Sequence, residues 1–139
     1  MTTDKLTSAL VAIIEAIKPD DDITVRDARS MGEIDLPTIA IDVKAPEKHS
    51  LAMPGVMKCG FDIIMRCHGG DDDSRATITS WANTLEQELN EPSEIRDAVT
   101  NEAAGMTCHF IQVEGGSTKW DDTTMETTFS GEAWIVRTA

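Results

Sequence analysis

The stretch MKCGFDIIMRCH, residues 57–68, alternates from end to end. Met57, Cys59, Phe61, Ile63, Met65 and Cys67 share one parity, and Lys58, Gly60, Asp62, Ile64, Arg66 and His68 share the other. Successive side chains of a strand point to opposite faces. The pattern therefore predicts one strand with an apolar face and a mostly polar face, in a sheet covered on one side. Twelve residues in this conformation span ~40 Å, where most strands stop within ~10 residues. A chain that must bury one side of so long a strand has few options. It needs neighbouring strands to pair with and other elements to cover its apolar face.

The rest of the chain supplies them. Leu6, Leu10, Ile13, Ile14 and Ile17 recur at helical spacing and Pro19 ends the pattern, predicting a first helix. ITVRDA (23–28) and PTIAIDV (37–43) read as strands. The polar RSMGEIDL between them reads as a hairpin loop, so the two are expected to pair antiparallel. KAPEKHSLAMPGV (44–56) carries two prolines and no period and reads as a long loop. After residue 68, Gly69 and Gly70 let the chain reverse. A second helix follows, with Ile78, Trp81, Ala82, Leu85 and Leu89 on one face. Pro92 breaks it, and SEIRDAVT (93–100) forms a short third helix with Ile95 and Val99 inward. MTCHFIQV (106–113) and TTMETTFSGEAWIV (123–136) are the last strands, joined by EGGSTKWDD as a loop. In the final strand Met125, Thr127, Phe129, Gly131, Ala133 and Ile135 share a face. The expected fold is a single α+β domain over residues 1–139. Its order is α-β-β-β-α-α-β-β, with an antiparallel or mixed sheet and helices on one face.

Charge narrows the function. The 139 residues carry 25 acidic against 12 basic side chains, a net −13 spread over the whole chain. Phosphate recognition needs clustered Lys and Arg, and the sequence has no such cluster. Binding to nucleic acid or to an anionic membrane is not expected. An acidic surface does suit one past which DNA must slide without sticking. The apolar stretch at the N-terminus is interrupted by Glu15 and lacks a basic flank, so neither a signal peptide nor a membrane span is expected.

Residues 57–74 also hold most of what could be chemistry. Cys59 and Cys67 stand eight positions apart on one strand, about 26 Å, so they cannot form a disulfide with each other. Cys67 and His68 are adjacent and point to opposite faces, so they cannot converge on a metal. The cysteines are expected as free thiols of a reducing cytoplasm, with Cys59 and Cys67 as small apolar side chains on the sheet's inner face. Asp71, Asp72 and Asp73 invite a divalent cation, but they are consecutive rather than alternate. Before a helix, Asp73 or Ser74 can cap free backbone N–H groups while the other carboxylates favour the positive end of the dipole. His49, His68 and His109 are the possible bases near neutral pH, and no nucleophile elbow or phosphate loop accompanies them. Leu51, Met53, Val56 and Trp120 fall in stretches read as loops. There they either fold over the sheet edge or serve protein–protein contacts. No catalytic, metal or cofactor-binding residue is expected.

The order of elements resembles the tail terminator (tail completion) proteins of long-tailed bacteriophages. The resemblance rests on LTSALVAIIEAIKP as opening helix and on the pair ITVRDARSMGEIDLPTIAIDV. It continues through the long strand MKCGFDIIMRCHG, the helix DDDSRATITSWANTLEQELN, and the closing strands MTCHFIQV and DDTTMETTFSGEAWIV. It covers essentially the whole chain. It implies a structural virion protein of the tail or neck, assembled in the host cytoplasm. Such a protein forms a ring, usually a hexamer, that caps the last ring of tail tube protein and faces the head–tail connector protein. DNA would pass through the lumen as cargo only. A head–tail connector subunit of the same neck is the alternative. From another class come a small metal-binding domain or enzyme using Asp71, Asp72, Asp73 and His68, and a module that binds a host protein.

Overall fold

A computed structural model describes residues 2–28, 37–48, 55–68, 72–89, 92–102, 106–120 and 124–137. The opening helix α1 (Thr2–Ile17) buries Leu6, Leu10 and Ile14, as its spacing predicts, with Ile13 and Ile17 half-buried beside them. Past Pro19 the chain turns tightly. Asp22 N–H donates to Asp20 Oδ1 at 2.9 Å and Ile23 N–H to the Asp20 carbonyl at 3.2 Å, an aspartate-centred turn. Lys18 Nζ spans the same turn, donating to the Ile23 carbonyl at 3.1 Å. This turn leads directly into β1 (Thr24–Asp27).

The sheet runs β1, β2 (Thr38–Val43), β4 (Val56–His68), β6 (Thr124–Arg137), β5 (Met106–Trp120), and the two-residue β3 (Glu47–Lys48) pairs with β4 beside β2. The order of helices and strands is the one expected, and the fold is α+β with a mixed sheet. Its centre is an antiparallel ladder of β4 against β6, in unbroken register from Val56↔Val136 to His68↔Thr124. Cys59, Phe61, Ile63, Met65 and Cys67 of β4 are buried, and so are Met125, Thr127, Phe129, Ala133 and Ile135 of β6. Over this face lie α1, α2 (Asp72–Leu89) and α3 (Pro92–Glu102), contributing Ile78, Leu85, Ile95 and Val99 to one core. Pro92 thus opens a helix as well as ending one, since its missing N–H costs nothing in a first turn.

Three local readings need correction. β1 and β2 pair parallel, Thr24↔Thr38 to Asp27↔Ile41, not as an antiparallel hairpin. The direction of β1 is set by its tight turn from α1, and that of β2 by antiparallel pairing with β4. A polar linker containing one glycine permits a return as readily as a reversal. Secondly, EGGSTKW is strand: β5 continues to Trp120, its polar residues pairing with β6 through Ser117↔Thr128 and Lys119↔Glu126. A bulge between Glu114 and Ser117 absorbs the glycines. Thirdly, the long loop after β2 is partly strand, because Glu47 and Lys48 pair with Lys58 and Met57 and Lys44 N–H donates to the Gly60 carbonyl at 2.8 Å. The second helix also begins at Asp72. Asp73 and Ser74 therefore sit inside the first turn rather than at the cap.

Gly131 shows how tightly the ladder is packed. Phe61 lies opposite it on β4 and covers it with its ring. A β-carbon at position 131 would stand 2.4 Å from Phe61 Cζ and 2.6 Å from the Gln112 carbonyl oxygen. The ring fills what the glycine lacks, a recognised way of keeping glycine inside a strand.

Candidate functional site

The residues that first suggest chemistry are mostly core. Cys59, Cys67 and Cys108 are all free and buried. Burial pushes each thiol up from its ordinary range, Cys67 and Cys108 to about 11. A nucleophilic or metal-binding cysteine needs the opposite shift. His68 is exposed while Cys67 beside it is buried, so the two do point to opposite faces. Among the described residues no three His, Cys, Asp or Glu side chains are grouped closely enough to hold a metal ion. Asp71, His49, Leu51 and Met53 lie outside the described residues. Val56 is buried at the start of β4, and Trp120 ends β5 opposite Met125 rather than standing in a loop.

What remains is the face of the sheet that the helices leave open. It is built by the outward parity of the strands. Across β4 and β6 the pairs are Lys58↔Trp134, Gly60↔Glu132, Asp62↔Ser130, Ile64↔Thr128 and Arg66↔Glu126. Most of the charges are matched. Arg66 Nε lies 2.7 Å from Glu126 Oε2, Lys58 Nζ 3.6 Å from Glu132, and Lys44 Nζ 3.4 Å from Asp62. Ser130 Oγ donates to Asp62 Oδ1 at 2.8 Å. Pairs this exposed contribute ~0–1 kcal/mol each to folding. Their larger effect is on the field. By sequence the strands hold seven acidic and six basic residues, whereas α1, α2 and α3 hold nine and three. The sheet is nearly neutral and the helical layer strongly acidic.

At one corner the open face becomes aromatic. Phe110 and Trp134 stack with ring centroids 4.6 Å apart. Trp134 Nε1 donates to Glu132 Oε1 at 2.6 Å, which fixes the indole. Phe110 is 36% exposed, the one exposed large hydrophobic residue among those described. A bulge puts it there. Cys108 pairs with Ile135 and Phe110 with Trp134, so His109 is an extra residue on β5. The insertion exchanges faces: Phe110 turns out, and Ile111, 3% exposed, turns in.

Sequence reading missed this corner. Simple alternation from Met106 places Phe110 on the buried parity with Cys108, and a bulge is invisible to alternation. Trp134 did carry a signal, since its parity is the polar one of β6.

No helix among the described residues is long and apolar enough to cross a membrane, which leaves β-barrels aside. Comparison with known proteins finds no family model and no curated relative that matches this chain.

Proposed function

We propose that this chain is a structural subunit of a bacteriophage virion. Copies of it form a ring, sixfold in the family it resembles, that caps the tail tube and meets the head connector, with DNA passing through the lumen. The observation that carries the reading is the open sheet face. A sheet whose central strand has 13 residues presents one whole side to a partner, with charges already matched and an aromatic pair at one corner. Exposed aromatic residues on a polar, charge-balanced ground are typical of surfaces that bind other proteins. The acidic helical layer also fits, because a surface of that sign repels the phosphates of passing DNA. Resemblance along the whole chain supplies the identity of the assembly, and the surface supplies the need for one.

Mass measurement in solution tests this, on the protein alone at high concentration and again with the tail tube subunit of the same virion. A closed oligomer of defined stoichiometry is expected in at least the second mixture. Monomers in both overturn the proposal.

A further inference from the structure

We draw no further inference here: the strongest candidate, the apolar groove between α1 and α3 lined by Ile13, Ile17, Ile95 and Ala98, carries none, because nothing in the structure shows what covers it.

Discussion

Adding one methyl group at Gly131 is the sharpest test of the packing described above. In the wild type the Phe61 ring occupies the space over Gly131, and a β-carbon built there would lie 2.4 Å from Phe61 Cζ and 2.7 Å from Cε2. Neither neighbour can yield easily. Phe61 is 1% exposed and held between strands, and the Gln112 carbonyl oxygen, 2.6 Å away, is backbone of the β5 ladder. Overpacking of this kind costs ~1–3 kcal/mol, occasionally more, and rigid neighbours on two sides place Gly131→Ala at ~3 kcal/mol. For a chain of this length that lowers Tm by ~10 °C. Phe61→Ala alone costs ~3–5 kcal/mol through the cavity it leaves. The double variant Gly131→Ala with Phe61→Ala is expected to cost at least ~1 kcal/mol less than the sum, because removing the ring relieves one of the two collisions. The remaining one, with the carbonyl, prevents full rescue. Urea unfolding followed by far-UV circular dichroism measures all four corners of the cycle. If Gly131→Ala falls within ~0.5 kcal/mol of wild type, or the two changes simply add, the argument that Phe61 substitutes for a side chain at 131 is wrong.

Two neighbouring isoleucines should separate the faces of β4: Ile63→Ala, on the buried face, is expected to cost ~2–5 kcal/mol, and Ile64→Ala, half-buried on the open face, markedly less in the same urea assay. The thiols make a pH prediction. Cys67 and Cys108 have folded-state values of about 11 against 9.0 when unperturbed, so the stability tied to their protonation is complete below pH 9 and lost as pH rises from 9 to 11. Urea midpoints are expected to hold constant up to pH 8.5 and to decline by pH 10.5, and a thiol reagent at pH 8 to label these cysteines only after denaturation. Chelation is expected to leave Tm unchanged; a clear drop would instead assign a metal to Asp71, Asp72, Asp73 and His68.

Much of the fold was legible because it depends on period alone. The apolar parities of residues 57–68 and 125–135, and the helical spacing of Leu6 to Ile17 and Ile78 to Leu89, state which side of each element is buried, whatever it packs against. The sheet's one-sided burial followed from those parities. The candidate surface was legible only in outline, as the polar parity of the long strand. Phe110 was hidden, because one inserted residue reverses the parity of everything after it.

By itself, then, the chain's order of apolar and polar residues determined the order of the main helices and strands and the buried faces of α1, α2, β4 and β6. Tertiary structure alone decided that β1 and β2 run parallel, that a glycine-rich polar stretch is strand, and that an aromatic pair stands on the open face. The physical reason is the range of the interactions involved. Side-chain periodicity is set within a few residues of chain. Strand direction, strand length and the registry of a bulge are set by backbone hydrogen bonds to partners far away in sequence, as when β6 supplies the pairing that keeps Ser117–Lys119 extended.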